Sequence, residues 1–162
     1  MSTSTNPILR PSIRVLVVDD EAPVRDAYSQ ILGAAVPSAE KASLQDMRAK
    51  LFAGSDARKS SKFPAPPPFR LTLCSGAQEA VDAVRTELSA GAPFAVVFLD
   101  MRMPPGPDGV WAAEQIRAID PHIEIVICTA YSDVDPEQIG ERVPPLDKLF
   151  YLQKPFHPHE VK

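Results

Sequence analysis

IRVLVVDDEAPVRDAYSQILGAA, residues 13–35, carries the pattern from which the fold is read. Its first six residues are a short, β-branched apolar run, which suits a parallel strand covered on both faces. Two carboxylates, Asp19 and Asp20, end that run. Pro23 then stands at a first-turn position, and Val24, Ala27, Tyr28, Ile31, Leu32 and Ala35 recur at helical spacing, so an amphipathic helix is expected up to Pro37.

The same alternation runs on to the end of the chain. FRLTLC reads as a second strand. Ser75 with Gln78 three residues later gives a capping-box signal for a helix whose Ala77, Ala80, Val81, Val84 and Leu88 line one face until Gly91. AVVFL leads into Asp100, a helix is expected from about Gly109 to Ile119, and IEIVIC precedes Thr129. Asp135 and Pro136 can start a short helix, and LFYLQ runs into Lys154 and Pro155. Five strands alternating with helices imply an α/β fold with a parallel sheet and right-handed crossovers, so all strand C-terminal ends lie on one edge. Ligands of open α/β sheets bind at that edge.

Residues 37–68 fall outside this rhythm and are far longer than an ordinary connection. Inside them, Ser43 with Asp46 can cap a helix bearing Leu44, Met47 and Leu51, ending before Gly54, and Pro64, Pro66, Pro67 and Pro68 favour an extended, semi-rigid spacer. This insertion begins and ends at the sheet edge away from the strand C-termini, so it is expected to take no part in chemistry and to offer an interaction surface. Residues 1–12 are expected to be a disordered tail, and 13–162 one domain containing the 37–68 insertion.

Composition narrows the function. A chain of 162 residues can bury one real core. A formal net charge of -4 argues against direct nucleic-acid binding, which needs concentrated Lys and Arg. Cys74 and Cys128 lie inside apolar runs, which predicts two buried free thiols in a reducing compartment and a cytoplasmic protein. The opening MSTSTNPILR has no apolar h-region, and no stretch approaches the ~18 apolar residues of a membrane span.

Under this topology Asp19, Asp20, Asp100, Thr129 and Lys154 each follow closely on a strand and converge. Three carboxylates packed together repel and take up protons unless a cation neutralises them, and such a hard oxygen cluster suits Mg²⁺ with several waters retained. Asp100 can serve as a nucleophile towards phosphorus, Lys154 can offset charge on phosphoryl oxygens, and Thr129 supplies a donor hydroxyl. An acidic pair after a strand is, alone, more often a helix cap. A Lys-Pro pair can merely end a strand, and a threonine can merely turn the chain. Together these bland readings are poor. His122, His157 and His159 show no ligand-like spacing and are expected at the surface.

VVDDE at 17–21, LDMRMPPGPDG at 99–109, the Thr129-Ala130 pair and LQKPF at 152–156 resemble the motifs of the CheY-like receiver domains of two-component response regulators. The resemblance spans the chain except the tail and the insertion. It implies a flavodoxin-like, doubly wound sheet of order 2-1-3-4-5, an order that belongs to the family and is not read from these residues. It further implies that Asp100 is phosphorylated by a histidine kinase or phosphotransfer domain in a Mg²⁺-dependent phosphorelay step. Asp20 would be a direct metal ligand, Asp19 a partner through water, and Arg102 a ligand through its backbone carbonyl. Thr129 would be the switch hydroxyl, Lys154 the phosphate-pairing lysine, and Tyr151 the aromatic whose rotamer reports phosphorylation. Arg102 and Tyr131 stand where phosphoryl lifetime is tuned. Such a domain is no enzyme beyond its own phosphotransfer and dephosphorylation. It switches an output domain, here expected beyond a final helix that HPHEVK begins and Lys162 cuts off, and a homodimer is compatible with it. Two other classes stay open: a receiver-like docking or dimerisation module that is not phosphorylated, and a haloacid-dehalogenase-type phosphohydrolase, although that class wants an acidic residue where Arg102 stands.

Overall fold

The structure is a computed structural model that describes residues 12–33, 67–130 and 135–161. Its elements run β1 (Ile13–Val18), α1 (Ala22–Gly33), β2 (Phe69–Cys74), α2 (Ala77–Ser89), β3 (Val96–Asp100), α3 (Gly109–Ile119), β4 (Glu124–Thr129), α4 (Pro136–Arg142), a 3-10 turn (Leu146–Lys148) and β5 (Leu149–Gln153). All five strands pair in parallel in the order β2-β1-β3-β4-β5, as the resemblance implies.

The apolar character of IRVLVV at nearly every position follows from the two faces it serves. Leu16 and Val18 join Val97, Leu99, Ile125 and Ile127 in a core beneath α2 and α3. Val15 and Val17 point the other way, packing with Phe98, Cys128 and Leu152 against Tyr28 and Leu32 of α1. Each such side chain, removed from water, stabilises the fold by about 1.5–3 kcal/mol before entropy is counted. Tyr28 buries its ring between Phe98 and Phe156 at 5.1 and 5.0 Å and shares a 3.2 Å hydrogen bond with the Cys128 thiol. Both cysteines are free and buried, as their apolar surroundings predict.

Helix starts agree with the sequence reading except at α2. The expected pairing of Ser75 with Gln78 does not form. The cap residue is Gly76, with no side-chain cap bond, and Glu79 at the third helical position reaches back instead. Its Oε2 accepts from the Ser75 amide at 2.7 Å and from the Ser75 hydroxyl at 3.1 Å. The box is displaced by one residue because the helix begins one residue later than Ser75 alone suggests. Asp108 caps α3 by accepting from Trp111 N at 2.8 Å, and Asp135 caps α4 by accepting from Glu137 N at 3.0 Å. Gly91, at φ +72°, supplies the left-handed residue that turns the chain out of α2.

At the edge where the strands begin, buried Arg117 ties three segments together. Its Nη1 donates to the carbonyls of Pro121 (3.1 Å) and Ile123 (2.7 Å), and its Nη2 to that of Lys148 (2.9 Å). The chain re-enters the sheet at this same edge, where Ile13 N bonds Pro68 O at 3.0 Å. The expectations for the tail, for the helix at 43–53, for Pro64 and Pro66 of the proline run and for Tyr131 fall outside the described residues. Where a final helix is expected to start, His157–Glu160 form one turn closed by Glu160 N to His157 O at 2.9 Å, and Val161 is buried against the α1 side of the sheet. His122, His157 and His159 are exposed, the last two stacked with ring centroids 5.6 Å apart.

Candidate functional site

Because β1 lies beside β3 with Val18 opposite Leu99, the residues that follow this pair along the two strands emerge at the same height. Asp19 and Asp100 are thereby brought together, and both are buried, at 1% and 8% exposure. Two carboxylates so placed need partners. Lys154, carried in from the end of β5, supplies one to both: its Nζ lies 2.6 Å from Asp19 Oδ2 and 2.6 Å from Asp100 Oδ1. The remaining oxygens take backbone donors. Asp19 Oδ1 accepts from Glu21 N at 2.9 Å, and Asp100 Oδ2 from Arg102 N at 3.2 Å. Lys154 is itself registered by a bond from its amide to Thr129 O at 2.9 Å.

Asp20 is the exposed member of the group. Asp19, Asp20 and Asp100 each offer an oxygen within 4.8 Å of the others. A cavity of about 210 Å³ opens beside them, lined by Asp20, Glu21, Asp100, Met101, Arg102, Thr129, Ala130 and Lys154. Burial pushes the Asp100 carboxyl above the usual carboxylate range and Asp19's charge pushes the same way, while Lys154 and the Arg102 amide pull it back. Burial works to discharge Lys154, but its contacts with Asp100 and Asp19 outweigh it and the ammonium is held above its ordinary range. Two buried carboxylates bridged by one ammonium, with a third, exposed carboxylate beside them, are compatible with a divalent cation such as Mg²⁺, which keeps several of its waters.

Thr129 ends β4 at the cavity wall, where its hydroxyl donates to Ala130 O at 2.9 Å. Tyr151 is 40% exposed, so core packing does not explain it. Its hydroxyl reaches out of the sheet to donate to Pro136 O at 3.0 Å, in the first turn of α4. All five strand-end residues of the sequence reading therefore meet, and Tyr151 stands apart from them.

Gly109 escaped the sequence reading as a part of the site. A Cβ there would run into the Asp100 carbonyl, and Gly109 N bonds Met101 O at 3.0 Å, so α3 starts directly against the loop that follows the aspartate. The signal was present as a glycine at the first helical position, directly after the cap Asp108. Met101, Ala130 and Glu21, which complete the cavity wall, lie inside the quoted motifs, where the sequence reading gives them no separate role.

Comparison with known proteins agrees with this geometry. A family model described as the response regulator receiver domain matches residues 68–162. Sporulation initiation phosphotransferase F of Bacillus subtilis (strain 168) is 34% identical over 67 residues, 41% of this chain, and the match spans about half (51%) of that protein's length. Among solved structures, a response regulator receiver protein from Sinorhizobium medicae WSM419 shares the fold at 21% identity and a TM-score of 0.59, over 93% of this chain and 88% of that one. So does a CheX-CheY-BeF3-Mg+2 complex from Borrelia burgdorferi, at 18% identity and a TM-score of 0.59, over 92% and 83% of the chains. Asp19 and Asp20 lie outside the stretch the family model matches; the pairing of β1 with β3 brings them to Asp100.

Proposed function

Since this chain belongs to the response-regulator receiver-domain family, we propose that it is a phosphoacceptor of two-component signalling, in which Asp100 takes a phosphoryl group from the phosphohistidine of a histidine kinase or phosphotransfer domain. The observation that carries this reading is Lys154 bridging two buried carboxylates beside a third that is exposed, at the mouth of a cavity.

In the proposed reaction an ionised Asp100 oxygen attacks phosphorus, forming an O–P bond as the donor's P–N bond breaks. The imidazole leaves with the electron pair, and the product is a phosphoaspartate. Burial disfavours the ionised form of Asp100 that this attack needs; Lys154 counteracts it. Asp19, Asp20, Asp100 and the Arg102 carbonyl are the groups that would hold Mg²⁺. Bound there, the ion would supply charge neutralisation for the phosphoryl oxygens. Lys154 would then exchange one carboxylate contact for a phosphoryl oxygen, and the Thr129 hydroxyl would turn from Ala130 O towards the same group. Tyr151, released from Pro136 O, is the aromatic that would report this change to α4 and an output domain. The domain is a signalling module, and its chemistry is confined to its own phosphorylation and dephosphorylation.

Incubating the purified chain with Mg²⁺ and acetyl phosphate, then weighing the intact protein, tests the reading. One added phosphoryl group, absent from Asp100→Asn, is expected. A folded chain that gains no adduct would mark a docking module instead, and continuous turnover of the donor with no adduct would mark a hydrolase.

A further inference from the structure

The turn that presents Asp19 and Asp20 is held by a side chain that plays no part in the reaction above. Arg25 lies in the first turn of α1 and is half-buried. At such a position a long cation ordinarily lays its stem over apolar surface and sends its head into water. Here the head turns inward, and Arg25 Nη1 donates to the main-chain carbonyl of Asp19 at 2.5 Å.

Asp19 is thus fastened along its whole length. Its amide bonds Cys74 O at 3.2 Å, its Oδ1 accepts from Glu21 N at 2.9 Å, its Oδ2 meets Lys154, and its carbonyl takes the charged donor of Arg25. That carbonyl belongs to the peptide linking Asp19 to Asp20. Asp20 is the exposed member of the cluster, so the placing of its carboxylate depends on how that peptide is turned.

Resting on the function proposed above, we infer that Arg25 is a positioning residue for the divalent cation: it fixes the Asp19–Asp20 peptide so that Asp20 presents its carboxylate to Asp19 and Asp100. Arg25 touches neither the cation nor the phosphoryl group. Groups that orient metal ligands from behind are typically worth about 10–100-fold in metal affinity, and a ligand on an open turn belongs at the lower end of that range.

The test compares wild type with Arg25→Met and Arg25→Lys. Both keep a straight methylene stem against α1, while only the lysine keeps a cationic donor. Each protein is melted over a Mg²⁺ titration, and the apparent dissociation constant is read from the rise in melting temperature. Arg25→Met should bind Mg²⁺ about tenfold more weakly, Arg25→Lys should return to within about threefold of wild type, and acetyl phosphate labelling of both should recover at saturating Mg²⁺. If Arg25→Met does not fold, Arg25→Gln takes its place with the same expectation. A folded Met or Gln variant with the wild-type constant would overturn the positioning role alone, as would a lysine variant no better than the methionine one. A wild-type chain whose melting does not respond to Mg²⁺ would overturn this inference and the metal-dependent function together.

Discussion

Replacing Lys154 by methionine removes the charge that two buried carboxylates share and leaves the side-chain stem in place. Asp19 and Asp100 keep only 2% and 11% of their side-chain surface exposed, so neither can replace the lost partner with bulk water. Deleting one partner of a buried ion pair costs about 3–5 kcal/mol. Lys154 is itself 19% exposed and the cavity admits water, so the low end applies, about 3 kcal/mol. In EDTA near neutral pH, with a urea m-value of about 1–3 kcal/mol/M, that is a fall of about 1.5 M in the unfolding midpoint. The pH dependence gives the sharper check. Asp100 is raised above its unfolded value by burial, so its contribution to stability is full below the ordinary carboxylate range and is lost as pH rises through the raised folded value. Lys154 moderates that rise, and without it the raised range extends further upward. The loss in Lys154→Met should therefore shrink as the solution is acidified into the raised range where Asp100 takes up a proton, and should shrink also on adding Mg²⁺. A midpoint within experimental error of wild type, or a deficit that neither acid nor Mg²⁺ reduces, would refute the claim that the ammonium is the counter-ion of this pair.

Asp20→Ala should abolish the Mg²⁺-dependent rise in melting temperature while leaving stability in EDTA almost unchanged, because the residue removed is the exposed ligand. Gly109→Ala places a methyl group against the Asp100 carbonyl and should cost about 1–3 kcal/mol by urea unfolding, with slowed acetyl phosphate labelling of the folded fraction. Burial pushes the Cys74 thiol up to about 12 and the Cys128 thiol up to about 11, so neither should react with Ellman's reagent at mildly alkaline pH until urea is added, when both should.

Much of this was readable in the chain because the chemistry sits where apolar runs stop. A parallel strand buried on both faces needs a β-branched residue at almost every position, so the point at which IRVLVV gives way to Asp19 is sharp, and the same holds at Asp100 and Thr129. The contacts between those ends were less legible. That one ammonium serves Asp19 and Asp100 depends on β1 lying beside β3, a pairing no local pattern encodes. Tyr151 lies in LFYLQ, which is apolar towards both faces, so periodicity could not say that its hydroxyl turns outward to a residue 15 positions away. The start of α2 shows a finer limit. Ser75 offers its box to Gln78 at one spacing and to Glu79 at the next, and a one-residue shift in the helix start decides between them. Gly109 read as a helix start, and only the nearness of the Asp100 carbonyl shows why no side chain fits there.

The Arg117 staple makes the sheet mechanically unequal along its length. At one end the guanidinium clamps the α3–β4 turn to the start of β5 through three carbonyls, none of which can shift without stranding a buried charge. At the other end, Thr129 is the last residue of β4 and Lys154 the first after β5. A strand held at its root is displaced most at its free end. A disturbance that begins at Asp100 is therefore expected to move Thr129 and Lys154 before it slides the clamped starts of β4 and β5.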